Sequence, residues 1–148
     1  MFAQRLTVAA AAALTLLSIS ACSTESGPTL TAPEAFEKHQ IGQLTLIDIR
    51  RPDEWRQTGV AEGAMRINMV HPQGGPGFVR QVAAELDGQR DTPIGIICRT
   101  GNRTTHMQKA LQEAGFTQVY NIKEGMVGSS AGPGWIARGL PVEACKTC

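Results

Sequence analysis

Pro93-Ile94-Gly95-Ile96-Ile97-Cys98-Arg99-Thr100-Gly101-Asn102-Arg103-Thr104 is the stretch that decides how this chain folds. Pro93 to Ile97 is a short apolar run, and it ends on Cys98. Met107, Ala110, Leu111 and Ala114 then recur at i, i+3, i+4 and i+7, with Gly115 as a stop. That spacing predicts a helix beginning near Thr104. A buried strand therefore runs into a helix through one polar loop, Cys98 to Arg103.

Working outward, the same alternation repeats. Thr31 with Glu34 three residues later, and Pro33 in the first turn, marks a helix start. That helix should run to about His39 and stop near Gly42. Leu44 to Ile49 is β-branched and apolar between Gly and Pro, which predicts a buried strand. Pro52 opens a short helical turn through Arg56, and Met65 to Met69 reads as a further strand. His71 to Gly77 is so rich in Gly and Pro that it reads as a loop. Phe78 to Leu86 has helical spacing, Val119 to Ile122 is strand-like, and Gly128 to Gly134 reads as a flexible loop. Strands alternating with helices imply an α/β fold, a small parallel sheet with helices on both faces.

In such sheets ligands bind at the carboxyl ends of the strands, which is where Cys98 falls. Gly101 and Asn102 are the loop residues that most readily take left-handed backbone angles. A tight turn of that kind can aim successive N–H groups inward as an anion nest, and the following helix adds its positive end. With Arg99 and Arg103 beside it, the Cys98 thiolate is favoured over the thiol and needs no histidine. The reading requires that the Cys98 side chain reach solvent and that main-chain donors face it.

These residues resemble a known family. Cys98-Arg99-Thr100-Gly101-Asn102-Arg103-Thr104 is similar to the active-site loop of rhodaneses. Leu46-Ile47-Asp48-Ile49-Arg50, Glu54-Trp55 and Gly63-Ala64 resemble the family's N-terminal strand and turn, and Gly139-Leu140-Pro141-Val142 its closing segment. The resemblance implies a rhodanese-like three-layer sandwich over residues 33–144. It also implies a single-domain thiosulfate sulfurtransferase working by double displacement. Cys98 would take the outer sulfur of thiosulfate or a persulfide donor, and pass it to cyanide or a thiol. Arg99 and Arg103 would bind the anionic donor. The N–H groups of residues 99 to 103, with Thr100, Gly101 and Asn102 at the centre of the loop, would stabilise the persulfide. Asp48 would lie near the loop, and Arg50 with Glu54 would form a structural ion pair. A sulfur-carrier module delivering persulfide to a partner protein is the alternative. The family often has His where this chain has Val60, which bears on the hydrogen bonding around the site.

The two ends carry separate signals. Met1 to Arg5 is basic and Leu6 to Ile19 almost wholly apolar, short for a span of about 20 residues. Ile19-Ser20-Ala21-Cys22 resembles a bacterial lipobox, which implies a lipoprotein signal peptide over 1–21 and lipid on Cys22. Residues 22–32 then form a tether, and the protein is exported, periplasmic and anchored to a membrane, the outer one if the host has two. In an oxidising compartment Cys145 and Cys148, a C-terminal CxxC tail, read as a small disulfide or a redox pair that could accept sulfur from Cys98. Two ligands cannot build a structural zinc site, so no metal is expected. No cofactor is called for either.

Other readings are weaker. A net charge of +1 and 5% aromatic residues give no electrostatic or stacking case for nucleic acid. Cys98 and Arg103 have four residues between them, one fewer than in cysteine phosphatases, so the loop is too small to cradle a tetrahedral oxyanion. His106 should face solvent two turns beyond the loop, His39 ends a helix and His71 sits in a loop. Trp55 belongs to core, and Trp135 to core or to the wall of the substrate entrance.

Overall fold

The computed structural model describes residues 27–148. The leader, Cys22 and the first part of the tether lie outside the described residues. Five parallel strands form one sheet in the order β1 (Thr29–Leu30), β6 (Val119–Ile122), β5 (Ile94–Ile97), β2 (Thr45–Asp48), β4 (Met65–Arg66). Its helices are α1 (Ala32–Gln40), α2 (Pro52–Thr58), α3 (Gly74–Glu85) and α4 (Asn102–Glu113). A second, two-stranded antiparallel sheet joins β3 (Val60–Ala61) to β7 (Val142–Glu143).

Strand alternation divides the core into two layers. Ile47, Ile49, Ile96 and Cys98 face one side and bury Phe78 and Val82 of α3 and Leu111 of α4. Leu46, Ile97 and Ile122 face the other side with Ala32 and Ala35 of α1, Met126 and Trp135. The three-layer α/β architecture is therefore as the sequence implies. The capping box is realised: the Glu34 N–H donates to the Thr31 hydroxyl, and the Thr31 N–H to the Glu34 carboxylate.

Three boundaries differ from the sequence reading. Thr29–Leu30 pairs with Asn121–Ile122, so part of the expected tether is an edge strand of the sheet. Helix α3 starts at Gly74, inside the stretch read as loop. The first helical turn needs no N–H acceptors, so Pro76 is tolerated there. Gly77 is required because a Cβ would meet the His71 ring at 2.0 Å. The strand read over Met65 to Met69 closes after Arg66. Trp135 is fully buried and meets Phe36 edge to face at 5.8 Å between ring centroids, so it is core and no part of an entrance.

Candidate active site

Cys98 follows the last residue of β5, beside the end of β2 in the sheet, with the end of β4 one strand further out. Asp48 pairs with Ile97 on one side and with Arg66 on the other. The loop after Cys98 is short because α4 begins at Asn102, two residues earlier than its apolar spacing suggests. Gly101 is left-handed (φ 83°) and caps the helix; Asn102 is not left-handed but is the first helical residue.

Packing fixes the loop from outside. The N–H groups of Met126 and Val127 donate to the carbonyls of Cys98 and Arg99 at 2.9 and 3.1 Å. In a trans peptide the N–H opposes the C=O, so the amides of Arg99 and Thr100 point away from that segment. A Cβ on Gly101 would meet the Lys123 carbonyl at 2.1 Å, and one on Gly125 the Arg99 carbonyl at 2.4 Å. Both glycines are where two backbones touch.

The sulfur itself has two polar neighbours. The Gly101 N–H donates to Cys98 Sγ at 3.2 Å, and Thr104 Oγ1 lies 3.7 Å away. The Thr104 hydroxyl donates to the Gly101 carbonyl at 2.7 Å, so its oxygen faces the sulfur as an acceptor. A neutral thiol is thus satisfied by one donor and one acceptor; a thiolate would gain a second donor if that hydroxyl rotated. Cys98 is 0% exposed. The access that the sequence reading requires is absent in this conformation, because the strand's alternation sends the side chain into the α3/α4 layer. Of the expected ring of donors, one main-chain N–H reaches the sulfur.

The charged residues pair differently from expectation. Arg50 does not bind the Glu54 carboxylate; it holds Asp48, Nη2 to Oδ2 at 2.6 Å, and both are buried. Asp48, the last residue of β2, stands two residues earlier in the chain, the nearer partner for a guanidinium that has lost its water. Arg50 also donates to the Thr58 hydroxyl and the Gly59 carbonyl at 2.7 Å each, tying β2 to the end of α2. Glu54 instead takes Arg103 in a bidentate pair, Nη1 to Oε2 at 2.6 Å and Nη2 to Oε1 at 2.5 Å. The Arg103 hydrogen bonds, with the Arg51 N–H, hold the Glu54 pKa down at about 2 against the opposing effect of burial. The Arg103 pKa is raised, chiefly by the same contact, with the neighbouring Cys98 and Asp48 contributing. Arg103 is therefore not free to hold a donor. Arg99 is exposed, and among the described residues no acceptor engages its side chain.

Thr100 and Asn102 open into a polar cleft of about 240 Å³ with Thr105, Lys123, Ser129 and Ser130. Cys98 and Arg99 do not line it. Val60, where a His is common in rhodaneses, is buried against Trp55 and Cys145, so an apolar contact replaces a polar one. His106 is exposed, and His39 Nδ1 lies 3.0 Å from the Leu44 carbonyl. Among the described residues no cluster of His, Cys, Asp or Glu could hold a metal ion. The sequence reading missed Thr104 as a neighbour of the sulfur and the Lys123–Val127 segment as the loop's support. Thr104 was legible as the next residue on the new helix. Nothing in the sequence around Gly125 signals its contact with Arg99.

The rhodanese-like domain family matches residues 31–131, which include this entire loop and its support. The chain belongs to that family. A crystal structure of an M. tuberculosis protein shares 27% identity, with a TM-score of 0.64 over 82% of this chain and 100% of that one. The polysulfide-sulfur transferase homodimer of Wolinella succinogenes shares 26% identity, with a TM-score of 0.60 over 78% of this chain and 77% of that one. A tRNA uridine(34) hydroxylase of Chlamydia trachomatis is 29% identical over 83% of this chain, which spans only 37% of that protein. The chain is thus similar to proteins of different activity, and the family supports a sulfurtransferase type of chemistry without fixing the donor.

Proposed function

We propose that the protein is a sulfurtransferase that carries sulfane sulfur on Cys98, taking it from thiosulfate or a persulfide. The observation that carries this reading is the Gly101 N–H on Cys98 Sγ, at the junction of a strand end and a helix start. In the first step the Cys98 thiolate attacks the outer sulfur of the donor. The new S–S bond forms as the donor's own bond breaks, and sulfite leaves when the donor is thiosulfate. In the second step cyanide or a thiolate takes that sulfur and returns the Cys98 thiolate. Because Cys98 is buried and Arg103 is committed to Glu54, the loop must lift to admit the donor, and Arg99 is the loop cation left to attract it.

Intact mass before and after thiosulfate tests this. A gain of one sulfur, absent in Cys98→Ser, is expected; no gain at saturating donor overturns the reading. The burial of Cys98 also favours the second reading, a carrier whose persulfide is shielded until a partner protein docks. Steady thiocyanate formation from thiosulfate and cyanide supports the enzyme, whereas a persulfide that forms and persists in cyanide supports the carrier.

The lipobox-like Ile19-Ser20-Ala21-Cys22 supports an exported protein cut before Cys22 and held to a membrane by lipid. The mass of the protein isolated from its host decides: a diacylated Cys22 is expected, and an unmodified residue 22 overturns the anchor.

A further inference from the structure

Cys145 and Cys148 are joined in a disulfide that the chemistry at Cys98 does not use. It lies at the same end of the sheet but on the other side. Met65 and Ile67 pack into the layer that contains Cys98. Arg66 between them points the opposite way by strand alternation. Its Nη1 lies 2.7 Å from Cys145 Sγ and 3.2 Å from Cys148 Sγ. Cys145, 8% exposed, packs with Trp55 and Val60, while Cys148 is half-buried. A cleft of about 520 Å³ opens beside Cys145, with Arg56, Thr58, Gly59 and Lys146 in its walls. This geometry argues against the pair resolving Cys98 directly, since the two sulfur centres are turned toward opposite faces.

We propose that the Cys145–Cys148 disulfide is a second, redox-active centre that exchanges with dithiols, with Arg66 receiving the departing sulfur. A dithiol's first thiolate attacks Cys148 Sγ, the more accessible of the two. A mixed disulfide forms there, the Cys145–Cys148 bond breaks, and the electron pair leaves on Cys145 Sγ. That thiolate keeps the guanidinium N–H it already meets, and a charge-assisted contact of this kind speeds departure. The dithiol's second sulfur then attacks its own mixed disulfide and releases Cys148 as a thiolate. The dithiol is oxidised to a disulfide, and Cys145 and Cys148 are reduced by the same two electrons. Arg56, which donates to the Cys148 carbonyl, and Lys146 stand beside the pair and suit a dithiol carrying carboxylates.

The test uses the full chain with Cys22→Ser and Cys98→Ser, so that Cys145 and Cys148 are the thiols read, and dithiothreitol as the reductant. Reduction is followed without denaturant by acid quenching and alkylation with a mass-tagged maleimide. The pair should reduce together in the folded protein, and with the monothiol 2-mercaptoethanol in place of the dithiol, acid quenching should catch a mixed disulfide on Cys148 with Cys145 as the free thiol. Arg66→Met should slow reduction about three- to tenfold, Arg66→Lys less, and the 240 nm thiolate absorbance of reduced Arg66→Met should appear at higher pH. Reduction that requires unfolding by guanidinium chloride overturns the proposal, as do equal rates and equal thiolate titrations in wild type and Arg66→Met.

Discussion

The Arg103 guanidinium grips both oxygens of the Glu54 carboxylate, which ties the first turn of α4 to the first turn of α2. The pair is the clamp on one side of the Cys98 loop, and Gly125 with Lys123 is the wall on the other. Because it is largely buried, losing one partner strands the other in a poorly hydrated site. Glu54→Ala should therefore destabilise the protein by about 2–4 kcal/mol in urea unfolding. The double variant with Arg103→Ala should cost less than the sum of the two single changes. Additive losses would show that the clamp contributes no coupling.

The same pair sets an acid limit. Glu54 ionises at about 2 in the folded chain against 4.5 for an unperturbed glutamate, so folding favours its charged form. A depressed carboxylate contributes stability that is complete above its unfolded pKa and is lost as the pH falls. The urea midpoint should therefore drop between pH 5 and 2, and Glu54→Gln should flatten that part of the profile. An unchanged slope in the variant would place the acid sensitivity elsewhere.

Gly101→Ala tests the loop's backbone. A Cβ there must tolerate φ 83° and a carbonyl at 2.1 Å, so the loop has to shift. A cost of about 2–4 kcal/mol is expected, combining the left-handed penalty with the contact. Sulfur uptake by Cys98 should fall even at temperatures where the variant remains folded, because the displaced N–H is the donor to Sγ. Uptake at the wild-type rate would show that this donor is dispensable.

Thr104→Val removes the hydroxyl 3.7 Å from the sulfur with little change of shape. Alkylation of Cys98 at neutral pH should slow about tenfold, since a thiolate loses its second available donor. Stability should fall by about 1 kcal/mol through the lost hydrogen bond to the Gly101 carbonyl. Equal alkylation rates would remove Thr104 from the chemistry.

Burial of Cys98 has its own consequence. Iodoacetamide should modify native Cys98 at least ten times more slowly than Cys98 in urea. Native modification as fast as that of the unfolded chain would show that the closed loop is not the resting arrangement.

Much of this was written locally. The apolar run before Cys98, the Gly at 101 and the helix spacing after it placed the thiol at a strand–helix junction, and the Thr31/Glu34 box gave a helix start to the residue. Charge partners were not local: Arg50 had Asp48 and Glu54 within four residues, and Glu54 reaches a guanidinium 49 positions away. The Gly-rich approach to α3 misled for a related reason. Gly77 is there because the His71 ring approaches it, not because the chain needs a flexible turn.

By itself, the sequence determined the alternation of strand and helix, the two buried layers and the position of the Cys98 loop, because periodicity and turn chemistry act between near neighbours. Tertiary structure alone decided which charges pair, that the Cys98 sulfur is enclosed, and that Arg66 meets the Cys145–Cys148 bridge. Those outcomes depend on which groups lose water together, and only the folded chain brings such groups side by side.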